Sequence, residues 1–600
     1  MGSFEAVYMI VPMKKITVLV QPKDAASSIA KLRSLGVLHI EHQQPPLSHD
    51  LSELQDDLAL IDSALGVLLE AGNSQEPKDW KFTARHIIDL RKRVEQLEEY
   101  SRTLKSKISQ WRDWGDFDPQ AIEKFTEKKI YAKLYQIPAK EIKKLEANLI
   151  VKKIAITRGI AHCLVISCEN FQIPYKELSL PKMGLKMMQD RLAEDIKVVA
   201  SLKQAILQHR CFYQSLLKEK RSKVSELEFQ QALSGMGQSG DISYLSGYTP
   251  FDTVDSLEET ARREKWGMVV SEPSDEDRVP TLIRNPRWVS IISPIFKVIE
   301  VVPGYKELDI SLWFLIFFSI FFGMLIGDAA YGFIFLLFTF LAQMKWGRKL
   351  KEKSVFNLFY ILSSCAIIWG VLSGTFFGQE WLPQWVRPVV PALRSDKNIQ
   401  TLCFLLGATH LSIAHLWRGV IKYPSLKALS EVGWVLIIWA AFFLAKLLIL
   451  GDAFPGFMKW FLITGAGLVL LFTNPRKNIL KGLGAGLGNL LLNLVNNFTD
   501  VVSYIRLFAV GLATVAVADS FNKMALGVGF SSISTGILTA FILLLGHTLN
   551  ILLGPMSILV HGVRLNVLEF CNHLDIKWSG FAYKPLKEGD SYADGNIISV

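Results

Sequence analysis

Residues Val501–Ala518, VVSYIRLFAVGLATVAVA, read as a membrane helix with a guanidinium at its middle. Arg506 cannot be neutralised at ordinary pH. A cation near a bilayer centre costs at least about 2.5–3.5 kcal/mol on insertion scales. The apolar run around it extends over residues 486–526, and a second such run covers 533–574. At ~1.5 Å per residue each is roughly 60 Å long if helical, against a hydrocarbon core of about 30 Å. Helices of that length tilt or project beyond the core. Six shorter apolar spans precede them, at 310–326, 328–343, 355–377, 399–417, 430–450 and 456–473.

The two long spans are rich in polar groups. The first carries Asn493, Asn496, Asn497, Asp500, Ser503, Arg506 and Asp519; the second carries His547, Asn550, His561, Arg564, Asn566 and Glu569. Ionisable residues inside a membrane face protein or water-filled cavities and mark functional sites.

The loops give an orientation. KWGRKLKEK (345–353), RGVIKYPSLK (418–427) and NPRKNILK (474–481) alternate with the less basic IGD, the Trp/Pro-rich QEWLPQWVRPVVPALRSDKN (379–398) and GDAFPG. Basic loops on one side put the N-terminal half and the C-terminus in the cytoplasm, with an even span count. Membrane loops account for much of the formal charge of +10, so no nucleic acid is needed to explain it. The start, MGSFEAVYMIVPMKK, lacks the long apolar core and cleavage site of a signal peptide. Six scattered cysteines, Cys163, Cys168, Cys211, Cys365, Cys403 and Cys571, read as free thiols without metal-ligand spacing.

Before residue 309 the chain changes character. Residues 12–42 read as strand, helix and strand, with Gly36 stopping a helix over 25–35. Heptad spacing follows in Leu51, Leu54, Leu58, Ile61, Leu65 and Leu68, then in Leu90, Val94, Leu97, Leu104, Ile108 and Trp111. A third run over 185–216 is interrupted by Asp195 and His209. A mixed segment at 118–180, with strand-like KIYAKLYQI and HCLVISC, separates the second and third runs. Two layouts stand: a long antiparallel hairpin with a small α/β domain at each end, or a compact helical domain. Neither half shows a phosphate loop, a nucleophile motif or a metal cluster, so no catalytic residue, metal or cofactor is expected.

FFGMLIGDAAYG (321–332), SYIRLFAVGLA (503–513) and HGVRLNVLEF (561–570) resemble the a subunit of V/A-type rotary ATPases, called subunit I in prokaryotes. YLSGYTP (244–250), VPTLIRN (279–285) and GYKELD (304–309) are similar to segments of that family in the same order, so the resemblance covers nearly the whole chain. It implies an α-helical polytopic membrane protein of about eight spans, the last two long and tilted. A cytosolic coiled-coil hairpin with α/β ends precedes them. The expected domains are a stator strut over 1–308 and an ion-translocating domain over 309–600. The expected role is a non-catalytic subunit that couples proton or sodium translocation to ATP synthesis or hydrolysis. Expected partners are proteolipid ring subunits bearing a carboxylate, peripheral stalk subunits, central-stalk or ATPase subunits, and the bilayer of a bacterial or archaeal inner membrane.

By the same resemblance Arg506 matches the family's essential arginine, which drives a passing ring carboxylate to its charged form and blocks a leak between two offset half-channels. Arg564 matches a second arginine, with His561 one turn earlier on its face. Asp328, Glu431, His547, His561, Glu569 and Ser503 are candidates for the channel lining. Eukaryotic members carry a glutamate where this chain has Gly554 and a histidine where it has Thr514, so the lining groups differ here.

Each candidate also has a plainer reading. Arg506 could pair with a nearby aspartate or a lipid phosphate, and Arg564 could anchor a helix end through Glu569. Asp328 either lines a channel or caps the helix after Gly327. Glu431 either lines a channel or serves as a span-end anchor. His410, His415 and His547 are relays or core histidines. Trp381, Trp385 and Trp460 read as interface anchors. Two other classes compete: a secondary transporter with a regulatory domain, which should show paired interrupted spans, and a membrane-tethered scaffold, which has no use for Arg506.

Overall fold

The computed structural model describes residues 10–46, 48–68, 75–142, 149–157, 159–348, 350, 353–378, 388–473 and 479–587, with the backbone alone at 126–127 and 479–489. Trp381, Trp385 and the start of the NPRKNILK connection lie outside the described residues. The chain forms two compact units: Thr17–Gly247 with Thr260–Met268 and Pro585–Val600, and Met1–Ile16 with Tyr248–Glu259 and Val269–Lys584. Residues on both sides of 309 therefore share the second unit.

In the first unit the helix Ala25–Leu35 stops at Gly36, whose φ of +64° suits glycine. It lies between the strands Met13–Val20 and His39–Glu41. The helix His49–Val67 starts where Ser48 accepts from the Leu51 amide. The helix Trp80–Trp111 starts where Asp79 accepts from the Lys81 and Phe82 amides. The third heptad run is the helix Leu185–Gln208, a 3-10 turn at His209–Phe212 and the helix Tyr213–Ser234. The interruption foreseen at His209 is that turn. Asp195 is buried and bound to Arg191 at 3.3 Å.

Some heptad residues lie in the cores between these helices, while Leu58 and Leu65 are only partly buried beside Asp57 and Ala64. Ile61, Ala64, Leu68, Ala84, Ile87 and Leu216 close one core, and Leu104, Trp111, Trp114, Leu134, Leu178 and Met188 another. Lys203 reaches Glu98 at 2.6 Å and Lys220 reaches Asp62 at 2.5 Å, so both outer helix pairs carry an ion pair. Such exposed pairs add less than about 1 kcal/mol each, and the apolar seams do more. The mixed segment is an antiparallel sheet in the order Ile150–Thr157, Ile160–Ser167, Tyr131–Pro138, Lys176–Leu178. Tyr135 pairs with Cys163, and both side chains point to the buried face.

The second unit is a helical bundle around Ser311–Ile326. That helix is almost wholly buried, with Phe314, Phe318 and Phe321 at its centre. It ends at Gly327 (φ +68°), and Asp328 caps the helix Ala329–Trp346 that follows. The helix Ser354–Ser373 crosses this junction so closely that a Cβ on Gly370 would lie 2.0 Å from the Ala329 amide nitrogen. The helices Asp396–Lys422, Ala428–Leu450 and Met458–Phe472 come next.

Among the described residues six helical stretches are long and apolar enough to cross a membrane, including Leu490–Val528 and Ile533–Leu574. Ser311–Ile326 and Met458–Phe472 are apolar but shorter, at 16 and 15 residues. The run expected over 486–526 is two helices, Ile479–Ser503 and Ile505–Val528. They meet at Tyr504, where the Tyr504 amide bonds Val501 and the Leu507 amide bonds Tyr504, each three residues back. The last span is Ile533–Arg564, then a π turn at Leu565–Phe570, then Cys571–Leu574.

Candidate functional site

Arg506 stands in the first turn after the Tyr504 junction. Its Nη2 donates to Glu569 Oε1 at 2.9 Å, and Arg564 Nε lies 3.5 Å from the same oxygen. The three side chains differ in depth: Glu569 is 5% exposed, Arg506 23% and Arg564 54%. Glu569 owes its place to the π turn, which turns Asn566 and Glu569 into the protein. Among the described residues Arg506 Nη1 and Glu569 Oε2 are buried without a hydrogen-bond partner. Arg506 is thus a fixed cation with one arm committed to Glu569. Its protein partner is a glutamate, not an aspartate. His561, one turn before Arg564, and Ser503, one turn before Arg506, are both partly exposed beside this pair.

Tyr504 is fully buried, and its hydroxyl lies 2.8 Å from His410 Nδ1. The His410 ring is stacked between Phe317 at 3.8 Å and Phe570 at 4.1 Å. His410 therefore belongs to an aromatic core packed against the Tyr504 junction. Gly407 allows this: a Cβ there would lie 2.7 Å from the Tyr504 ring.

A second cluster joins four helices. Glu431 Oε2 lies 2.6 Å from His415 Nδ1, His415 Nε2 lies 2.8 Å from His573 Nδ1, and His573 Nε2 lies 3.0 Å from Asp500 Oδ2. Lys422 and Arg418 both approach the other Glu431 oxygen, Arg418 Nε at 3.5 Å. Arg418 also donates to the His573 carbonyl at 2.9 Å. The sequence pointed to Asp500, Glu431 and His415 singly. It gave no signal for His573, which lies beyond the arginine motif.

Asp328 is buried and acts as a cap. Its Oδ1 accepts from the Ala330 amide at 2.8 Å and the Tyr331 amide at 3.2 Å, and Oδ2 from the Gly378 amide at 2.9 Å. His547 is apart from it, 2.7 Å from the Tyr331 hydroxyl. Asn550 donates to that hydroxyl at 3.2 Å and to the Thr514 carbonyl at 2.8 Å. Beside these, a cavity of about 610 Å³ opens along the Ile505–Val528 helix, lined by Gly327, Thr375, Arg394, Asp396, Gly511 and Asp519 among others. Among the described residues no group of three or more His, Cys, Asp or Glu could hold a metal ion.

No protein-family model matches the chain. It is similar to V-type ATP synthase subunit I of Borreliella burgdorferi, 32% identical over 611 residues, which cover 97% of this chain and 100% of that one. V-type ATP synthase subunit I 1 of Treponema pallidum is 30% identical over 625 residues, with coverage of 97% and 100%. A-type ATP synthase subunit I of Pyrococcus abyssi is 26% identical over 432 residues, with coverage of 67% and 62%. A solved structure of the cytoplasmic N-terminal domain of subunit I, homolog of subunit a, of V-ATPase covers 43% of this chain and 99% of its own at 14% identity. Its TM-score of 0.22 is too low to bear on the fold.

Proposed function

The chain belongs to the subunit I family of V- and A-type ATP synthases, and on that premise we propose that it is the ion-translocating stator of a rotary ATPase. The observation that carries this reading is Arg506, a partly buried guanidinium beside a helix junction, tied by one arm to Glu569 at 2.9 Å. A ring carboxylate arriving at the other arm would be held in its charged form by an adjacent permanent cation. Its ion leaves before that contact and is replaced after it. Glu569 then serves as the resting counter-ion, and Arg564 flanks it at the surface.

In this reading residues 309–600 form the membrane domain. The two short apolar helices, of 16 and 15 residues, are counted with the six longer stretches to make eight spans. Residues 1–308 form the cytoplasmic strut, and the paired heptad helices act as a coiled-coil hairpin that carries torque to peripheral stalks. Partners are the ring and the other subunits of the same complex. The secondary-transporter reading is the weaker one, because among the described residues the Tyr504 junction and the π turn do not recur as a matched pair in two repeated halves.

The test is ATP-driven ion uptake into vesicles holding assembled complexes. Arg506→Ala is expected to insert and assemble but to lose at least tenfold of the uptake rate. Arg506→Lys should be severely impaired, since lysine lacks the planar fork and loses its proton when buried. Uptake by Arg506→Ala within twofold of the unaltered complex would overturn the reading. So would purification of the chain without ATPase subunits or a small ring-forming protein.

A further inference from the structure

We propose that Glu431, His415, His573 and Asp500 form a proton wire, and therefore that the ion this stator conducts on its cytoplasmic side is H⁺. This rests on the stator reading and adds to it the ion and the route.

The argument is a proton count. The four side chains meet at three junctions of 2.6, 2.8 and 3.0 Å, all hydrogen-bond distances. Each junction needs one proton between its two heavy atoms. Two neutral imidazoles supply one each, and two ionised carboxylates supply none. Two protons cannot fill three junctions. One pair of lone pairs would then face each other where Glu431, His415 and His573 are all at most 5% exposed. An unmade hydrogen bond of that kind is costly. The file therefore holds a third proton.

With both imidazoles neutral three protons fit in two ways, and two imidazolium arrangements lie between them. In one neutral arrangement, Glu431 carries a proton, and each imidazole carries its proton on Nε2. In the other, each imidazole carries its proton on Nδ1, and Asp500 carries the third. Three hops convert the first to the second: Glu431 to His415 Nδ1, His415 Nε2 to His573 Nδ1, and His573 Nε2 to Asp500. Only O–H and N–H bonds break and form, no electrons change hands, and one proton's charge passes from Glu431 to Asp500. The reverse hops carry it back. Rotation of the two rings resets the file for another proton in the same direction. The closed junctions leave no room for a larger cation.

The ends are placed for exchange. Asp500 keeps 22% exposure and stands six residues before Arg506. At the other end Lys422 and Arg418 contact Glu431 Oε1, so Oε2 alone faces His415. Lys422 is 32% exposed beside the exposed turn at 423–427, part of a basic, cytoplasm-facing loop. Trp434 stacks near His415, and Asn497 is buried one turn before Asp500; neither titrates.

A mere clamp between helices would accept any donor at these positions, and that contrast sets the test. Asp500→Asn offers an amide N–H to His573 Nε2, so it fills the third junction but cannot release a proton. In assembled, reconstituted complexes Asp500→Asn should cut ATP-driven proton uptake at least tenfold, and Asp500→Glu should recover most of it. His573→Gln, which keeps a donor and an acceptor, should match Asp500→Asn. Uptake within twofold of normal in either variant would overturn the wire. If neither variant assembles, the unaltered complex decides: protonophore-sensitive uptake in sodium-depleted buffer supports the wire, and uptake of labelled sodium without acidification overturns it. Arg506→Ala in the same assay separates the failures, because its loss of uptake beside a working Asp500→Asn removes the wire and leaves the stator.

Discussion

Glu569 serves two arginines with one oxygen, and they should value it unequally. Glu569→Gln keeps the shape and the acceptor but removes the charge. At an effective dielectric of about 20, unit charges ~4 Å apart attract by about 4 kcal/mol. Removing one partner of a fully buried pair costs about 3–5 kcal/mol. Arg506 lies 2.9 Å from Glu569 and keeps 23% exposure, so water recovers part of that cost. A coupling of about 2–3 kcal/mol remains for that pair. Arg564 lies 3.5 Å away at 54% exposure. Its coupling should stay below about 1 kcal/mol, as for surface pairs. Two double-mutant cycles measure this, Arg506→Met with Glu569→Gln and Arg564→Met with Glu569→Gln, followed by detergent-induced unfolding in mixed micelles. Equal couplings, or an Arg506 coupling under about 0.5 kcal/mol, would refute the claim that Glu569 is chiefly the counter-ion of Arg506.

Gly370→Ala puts a Cβ 2.0 Å from the Ala329 amide nitrogen; the backbone must move, and the same unfolding assay should show a loss of at least about 1–3 kcal/mol. Outside the membrane, the Lys15 ammonium and then the Ser274 amide hold the Asp277 carboxyl down at about 2, against 3.8 ordinarily. A lowered carboxyl stabilises above its unfolded value and stops doing so as pH falls through its folded one. Protease resistance of the 274–277 turn should therefore fall between about pH 4 and pH 2, and Asp277→Asn should remove that dependence. Single cysteines placed at 423–427 and at 452–456 in a cysteine-depleted chain should label from opposite sides of the membrane; labelling from one side would refute eight alternating spans.

The fold was legible where one residue type repeats. Periodic leucines marked the helices that enclose Ile61 and Leu104, apolar length marked the membrane stretches, and Gly36 marked a helix end. Arg506 was legible alone, because a charge in an apolar run stands out without knowledge of its neighbours. Its partner was less so: Glu569 lies 63 residues away, and the helix junction at Tyr504 and the π turn beside which they meet leave no periodic trace. Polar chains are harder still to read. His415, Glu431, Asp500 and His573 span 158 residues on four helices, and each taken singly is an ordinary buried or span-end polar group. Asp328 shows the converse. A carboxylate after a glycine reads equally as cap or channel, and only the three amides around it place it as a cap.

The π turn at Leu565–Phe570 fits one more residue into its coil than an α-helix would. An α-helix turns by about 100° per residue and a π turn by less, so loss of one residue inside it would let the coil relax to α while what lies beyond kept nearly its direction. His573 would still face His415, whereas a residue lost from the regular helix before the turn would swing it away by about 100° though no side chain in the polar file had changed. The spacing between the arginine pair and that file is thus a property of length, not of chemistry. Substitution, or loss of one residue inside the turn, can leave it intact, whereas a one-codon deletion in the helix before it cannot.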